Sequence, residues 1–257
     1  MTDGRQLEKQ VALYDLSNRP ASFDFVTYLA TARTYGASHV RFVLNRGWKP
    51  KNYANPDERF RSIVEPAVAL WGMEYSVGEP FGVEYSHFLP KAVAAHKQSI
   101  TGIRKIPYPV EDRGYLTITL RNSRTPARNS KDAEWMKFAD KQRATGRKVV
   151  ILRDYEERPL SLHDRMRLYA GAHMNFFVIN GPVTLCVHSE APYLCMRTIG
   201  CEKSGSTSPK FMASIGITPG FQFPWSNGRQ RLSYEDDTCE AIECEYAAME
   251  SAERLAA

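Results

Sequence analysis

The residues best suited to chemistry are cations and small polar groups placed where apolar runs give way to helical segments. Arg121 directly follows the apolar stretch 115–120. A guanidinium at a strand end can grip phosphate oxygens with a planar fork of donors. Asn122 comes next, and Arg128, Asn129 and Ser130 open the following helical segment. A second group is Asn180-Gly181-Pro182, which ends the run 175–179 and leads into Val183 and Thr184. Pro182 suits a first helical position, where its missing N–H would be unpaired anyway. Gly181 lets a bound group approach the backbone closely. A helix N-terminus at the carboxyl end of a parallel strand offers amides and a positive dipole end to an anion. Arg121, Asn122, Arg128, Asn129, Ser130 and the turn 180–184 therefore point to a phosphate-bearing ligand.

Other side chains have two readings each. Asp15 ends the first apolar run, where a carboxylate can serve as general base or can pair with Arg19. Asp154, after the run 148–152, can orient a ribose hydroxyl or pair with Arg153 or Arg158. Trp225 can stack on a base or sugar ring, or pack in a loop that covers the sheet edge. Asp236 and Asp237 can hold a metal or can cap the last helix, where negative charge is favoured. His163 is a base candidate or a solvent-facing residue of a first helical turn. Ser189 and His188 do not make a hydrolase site, because no G-x-S-x-G elbow occurs. Neither a P-loop nor G-x-G-x-x-G is present, which removes support for ATP hydrolysis and dinucleotide oxidoreduction by those routes.

These side chains need an alternating frame to bring them together. The opening reads as strand 11–16, helix 23–35 capped by Ser22 and stopped by Gly36, and strand 39–44. A loop over 45–56, a helix over 58–70 kinked or broken at Pro66, an irregular or strand-like stretch 71–84 and a helix over 87–98 follow. The segment 100–114, with Pro107, Pro109 and several charges, reads as a linker. The second half reads as strand 115–120, helix 130–145 capped by Ser130, strand 148–152, helix 161–172, strand 175–179, short helix 182–189 and strand 192–196. An irregular aromatic stretch 211–237 and a final helix 237–255 close the chain. Alternation of this kind implies α/β architecture with mainly parallel sheets, in two Rossmann-like lobes over 1–110 and 111–257 with a cleft between them.

Bulk properties narrow the class. A chain of 257 residues, 43% hydrophobic, can bury one large core or two small ones. Net charge is +5, from 34 basic and 29 acidic residues, and the basic residues are scattered. A nucleic-acid partner is therefore not expected, while an anionic small molecule is admitted. No apolar run reaches the ~20 residues of a membrane span, and the polar start lacks a secretory signal, so a cytoplasmic location is expected. Five cysteines without C-x-x-C read as reduced thiols, and six scattered histidines make a structural zinc site unexpected.

The series 120–123 (Leu-Arg-Asn-Ser), 127–130 (Ala-Arg-Asn-Ser), 149–154 (Val-Val-Ile-Leu-Arg-Asp), 180–182, Gln230-Arg231-Leu232 and Glu235-Asp236-Asp237 resembles glycosyltransferase-like proteins of bacterial surface-polysaccharide clusters. The opening Tyr14-Asp15-Leu16 and Phe23-Asp24-Phe25 fits the same group. The resemblance implies a two-lobed GT-B fold, with the acceptor on the first lobe and the nucleotide-sugar donor on the second. It implies metal-independent transfer of a sugar to a hydroxyl acceptor, with no cofactor besides the nucleotide-sugar substrate. Arg121 is similar to the donor-phosphate arginine of fucosyltransferase-type enzymes. The alternatives are another sugar-nucleotide-processing enzyme, such as an epimerase, and a non-catalytic nucleotide-binding or scaffold protein.

Overall fold

The computed structural model describes residues 10–44, 56–86, 103–153 and 160–256, and the chain divides into two compact units. The first comprises residues up to Tyr108 together with Ser161–Asp164; the second comprises Pro109–Leu160 and Arg165–Ala257.

The first unit is built on three parallel strands in the order β1 (Val11–Asp15), β2 (His39–Val43), β3 (Glu74–Val77). Val83 adds a parallel bridge on the free side of β1, at Ala12. Helix α1 (Asp24–Thr34) links β1 to β2 and ends at Gly36, whose φ of 95° is open to glycine at no steric penalty. Its Tyr28 and Phe25 pack edge-on against Tyr14 of β1, with centroids 4.7 Å apart in each pair. The segment from 56 to 70 stays helical, as α2 (Pro56–Arg59), a π turn (Phe60–Val64) and α3 (Glu65–Leu70). The expected kink at Pro66 becomes a π turn just upstream. Proline has no N–H for the i−4 carbonyl and its ring crowds that carbonyl, and a widened turn absorbs both effects. The strand-like reading of 71–84 resolves into β3. The expected loop over 45–56 and helix over 87–98 lie largely or wholly outside the described residues.

The second unit holds a five-stranded sheet, all parallel, in the order β5-β4-β6-β7-β8. Its strands are β4 (Tyr115–Leu120), β5 (Val149–Arg153), β6 (Ala172–Val178), β7 (Tyr193–Met196) and β8 (Gln230–Leu232). Helices α4 (Asp132–Ala144) and α5 (Leu162–Gly171) connect the first three strands, α6 (Val183–Val187) leads to β7, α7 (Pro209–Ser214) lies between β7 and β8, and α8 (Cys239–Ala256) closes the chain. The strand β8 and the helix α7 both fall in or beside the stretch expected to be irregular. Three residues are too few to show a period of two, and the side chain of Gln230 there serves a neighbouring loop.

Both faces of this sheet are covered, as parallel sheets require. Leu116, Ile118, Leu120, Met174, Phe176, Val178, Leu194 and Met196 pack under Trp135 and Phe138 of α4 and Ile242, Tyr246 and Met249 of α8. Phe138 and Phe176 meet at 4.9 Å and Phe176 and Tyr246 at 5.1 Å, all edge-on. Burying such a ring contributes roughly 1.5–3 kcal/mol. On the opposite face the order is more polar. Thr119 Oγ1 lies 2.9 Å from the Tyr169 hydroxyl of α5, and Thr117 Oγ1 donates to Asn175 Oδ1 at 2.6 Å. The chain winds outward from β4 to β5 through α4, then returns through α5 past β4 to β6. Winding therefore reverses between β4 and β6, and ligands of open α/β sheets bind outside the carboxyl ends of the strands at such a reversal.

Candidate functional site

Arg121 and the Ile179–Pro182 turn meet at the carboxyl edge of the second unit's sheet, and Arg197 follows β7 at the same edge. Arg121 leaves β4 at the reversal and is only 9% exposed. Its Nη1 crosses to β6 and donates to the carbonyl of Ile179 at 2.8 Å. Its own amide donates to Ser130 Oγ at 2.8 Å, and the Ser130 amide returns to the Arg121 carbonyl at 3.0 Å. Ser130 thus closes the 121–130 loop and does not cap α4. The amide at the start of α4, that of Lys131, donates instead to Asp237 Oδ2 at 2.8 Å. Asn129 is also a loop fastener: its Oδ1 accepts from Ser123 N at 2.7 Å and Ser123 Oγ at 2.9 Å. Arg128 is half-buried in a 3₁₀ turn, and Asn122 is exposed.

The turn after β6 is satisfied from within. The Val183 amide donates to Asn180 Oδ1 at 3.1 Å, the Thr184 amide to the Gly181 carbonyl at 3.1 Å, and the Leu185 amide to the Pro182 carbonyl at 3.1 Å. Thr184 Oγ1 donates to the Gly181 carbonyl at 2.8 Å. Asn180, Pro182 and Val183 are buried, while Gly181 and Thr184 reach the surface in part. The amides that the sequence assigns to an anion are therefore occupied by a side-chain cap and a tight turn. Cationic side chains are what this corner offers.

Two strands of the sheet end in an apolar residue followed at once by arginine, Leu120-Arg121 and Met196-Arg197, and β5 ends in arginine itself, Arg153. Sequence reasoning singled out the first and passed over the last, although the repeated pattern was there to be seen. Arg153 is engaged with Asp132 of α4 at 2.8 Å. Arg197 donates to the carbonyl of Asn129 and lies 3.3 Å from Asp237 Oδ1. Arg165 of α5 is a further buried guanidinium, with Nη1 3.1 Å from the Tyr169 hydroxyl. Burial pushes the Cys195 thiol up to about 12, against the pull of a Thr198 hydrogen bond and the Arg121 charge, so the thiol below the arginine stays neutral.

The remaining candidates are placed as follows. Asp237 is fully buried and does not cap the last helix: Oδ2 accepts from Lys131 N and from Trp135 Nε1 at 2.9 Å. The first amides of α8 are served by Glu134 Oε2 at 3.1 Å and Thr238 Oγ1 at 3.3 Å. Burial pushes the Asp237 carboxyl above its ordinary value, although those two donors and Arg197 pull it down. Trp225 is buried, stacked on Phe223 at 4.8 Å and His188 at 5.9 Å, with Nε1 donating to the Val187 carbonyl. Its ring packs as a loop cover. Ser189 and His188 are buried in the same region. In the first unit, Asp15 Oδ1 accepts from Ser17 N at 2.8 Å and Ser17 Oγ at 2.5 Å, and Oδ2 accepts from Asn18 Nδ2 at 2.6 Å. Arg19, its alternative partner, pairs with Glu84 at 2.6 Å. His163 is exposed, edge-on to Tyr108. Asp154 lies outside the described residues. Among the described residues no group of three or more His, Cys, Asp or Glu side chains is placed to hold a metal ion. None of their helices is long and apolar enough to cross a membrane.

Fold and site define an α/β protein with two mainly parallel sheets and an arginine-rich corner at the winding reversal of the larger one. The chain matches no protein-family model and no curated protein sequence. Among solved structures it is similar to the bacterial iron-containing dodecameric glycosyltransferase TibC from enterotoxigenic E. coli H10407, at 11% identity and a TM-score of 0.49. That alignment covers 85% of this chain and 62% of TibC, so the chain spans under two thirds of that neighbour's length. It is also similar to a universal stress protein from Archaeoglobus fulgidus DSM 4304, at 12% identity and a TM-score of 0.21, over 82% of this chain and 94% of that one. At these scores neither likeness bears on the chemistry.

Proposed function

We propose that the second unit binds a nucleotide-activated sugar and that the protein is a glycosyltransferase. The carrying observation is the Arg121 guanidinium, nine-tenths buried at the β4/β6 reversal and fastened to the Ile179 carbonyl. A fixed, partly desolvated cation is worth more to a developing phosphate charge than a mobile surface one. The resemblance of the 120–130, 149–154 and 180–182 segments to glycosyltransferase-like proteins supports the same reading. In this reaction the acceptor hydroxyl oxygen attacks the anomeric carbon, and the bond from that carbon to the nucleotide's terminal phosphate oxygen breaks. The electron pair leaves on that phosphate, which Arg121 stabilises, with Arg128 assisting. The hydroxyl proton passes to a base, for which Asp15 remains the candidate. Its Oδ2 carries one intramolecular hydrogen bond, which leaves a lone pair for an acceptor.

Calorimetric titration with UDP, GDP, ADP and CMP tests the reading. At least one nucleotide should bind the wild type, and Arg121→Ala should weaken it about tenfold or more, the loss of one charge-assisted hydrogen bond. Asp15→Asn should keep that binding and lose acceptor-dependent release of the nucleotide. Failure of all four nucleotides to bind the wild type overturns the assignment.

A further inference from the structure

One face of the first unit's sheet carries a cluster of donors that the proposed reaction does not use. Every second residue of β1 and β2 is buried, so Val11, Leu13 and Asp15 share the other face with His39, Arg41 and Val43. On β3, Ser76 is the register partner of Arg41, and Glu74 is that of His39. His39 bypasses the glutamate opposite it and reaches diagonally, with Nε2 2.7 Å from Ser76 Oγ. Arg41 turns toward the end of β3. Its Nη1 lies 3.4 Å from the Val77 carbonyl, long for a hydrogen bond. Its Nε is shielded from solvent and has no hydrogen-bond partner among the described residues. No carboxylate of the described residues pairs with it. A fork of five donors is thus held in place by a single weak contact.

The backbone makes room for that fork. Gly78 directly follows β3, and a Cβ there would stand 2.7 Å from Arg41 Nη1. The Gly78 amide donates to the Phe42 carbonyl at 3.0 Å, which fixes the segment beside β2. We propose that His39, Arg41 and Ser76 form a binding site for a phosphate group, free or as a monoester. With His39 Nε2–H donating to Ser76 Oγ, the serine keeps its hydroxyl hydrogen for a ligand. Arg41, opposite Ser76, supplies the charge. Donors from two strands, out of one plane, suit a tetrahedral oxyanion. A planar carboxylate is met by a guanidinium alone, through two parallel bonds. Val11, Leu13 and Val43 are half-buried on the same face and lower the local dielectric, which strengthens such bonds. Glu74 is exposed opposite His39, and its charge steers an anion toward the Arg41 end. The site lies within the first unit and does not depend on Arg121 or on the nucleotide-sugar reading.

The test is calorimetric titration of the full chain with inorganic phosphate, glycerol 3-phosphate and acetate. Phosphate and its ester should bind, and acetate should bind about tenfold more weakly or worse. Tighter binding of the ester marks a phosphorylated ligand, and equal or weaker binding marks free phosphate. Arg41→Gln should weaken phosphate about tenfold or more, the loss of one charge-assisted hydrogen bond, and Ser76→Ala about threefold or more. Gly78→Ala keeps every donor and displaces only the guanidinium, so it should also weaken binding about threefold or more while circular dichroism stays that of the wild type. Arg121→Ala should leave phosphate binding within about twofold. Phosphate binding weaker than about 10 mM, acetate equal to phosphate, or a loss that follows Arg121→Ala and not Arg41→Gln overturns this inference. None of those results bears on nucleotide binding by the second unit, which the four-nucleotide titration decides.

Discussion

Replacing Asp237 by alanine and by asparagine separates two properties of one buried carboxylate. Alanine removes the acceptor of Lys131 N and Trp135 Nε1 and the counter-charge of Arg197. Trp135 is 1% exposed, so its orphaned N–H has no route to water. Each abandoned buried donor costs about 1–3 kcal/mol. The Trp135 N–H is such a donor and the Lys131 amide, only part-buried, costs less; together, offset in part by removing a charge that burial disfavours, they amount to a loss of about 2 kcal/mol. For a chain of this size that is a fall in Tm of about 4–8 °C. Asparagine keeps a carbonyl oxygen for both donors and should cost less than about 1.5 kcal/mol. Urea unfolding, followed by circular dichroism and tryptophan fluorescence, measures both. The pH dependence gives a second check. The Asp237 pKa is raised above its ordinary 3.8, with burial the main cause. Stability from this group therefore falls as pH rises from the unfolded value through the folded one. Asparagine carries no such charge, so its stability relative to wild type should improve across that window. Equal effects of alanine and asparagine, or a loss under about 0.5 kcal/mol for alanine, would refute the claim that Asp237 ties α4 to the 197 turn.

Two further predictions concern the same unit. Asn175 is fully buried, accepts from Thr117 Oγ1 at 2.6 Å, and donates to the carbonyls of Tyr169 at 2.9 Å and Pro192 at 2.8 Å. Asn175→Ala should cost about 2–4 kcal/mol in urea unfolding, and a cost under 1 kcal/mol would deny it a hub role. At the opposite edge of the sheet, His173 Nδ1 lies 2.7 Å from Asp112 Oδ2, and Arg147 Nη2 lies 2.7 Å from Glu250 Oε1. Burial acts to raise both carboxyls, but His173 and the Gly114 amide hold Asp112 low, while Tyr246 and Arg147 hold Glu250 low. Their stabilisation is complete above the ordinary values of 3.8 and 4.5 and disappears as pH falls through the lowered ones. His173→Gln with Arg147→Gln should flatten stability against pH in that acid range, measured by thermal melts, and an unchanged slope would sink the assignment.

Local physics carried much of this protein in its sequence. Alternating β-rich runs and helix-period segments, with Gly36 and Gly146 as helix stops at φ of 95° and 85°, were enough for α/β architecture with parallel sheets. Arg121 was legible because it follows a strongly apolar strand, and strand ends in such sheets gather at one edge. Burial, partner choice and strand order were decided only by tertiary structure, since all three depend on residues far apart in the chain. Asp237 reaches Lys131 across more than a hundred positions, so a local rule assigned it to the nearest helix. The anion-ready turn at 180–184 closes on itself because Asn180 Oδ1 and the Gly181 and Pro182 carbonyls accept the amides three residues on, a local capping pattern that an asparagine before a helix can supply as readily as an anion site. Arg197 meets the Asn129 carbonyl and Asp237 only through a left-handed backbone, sustained by its surroundings, which no local sequence rule announces.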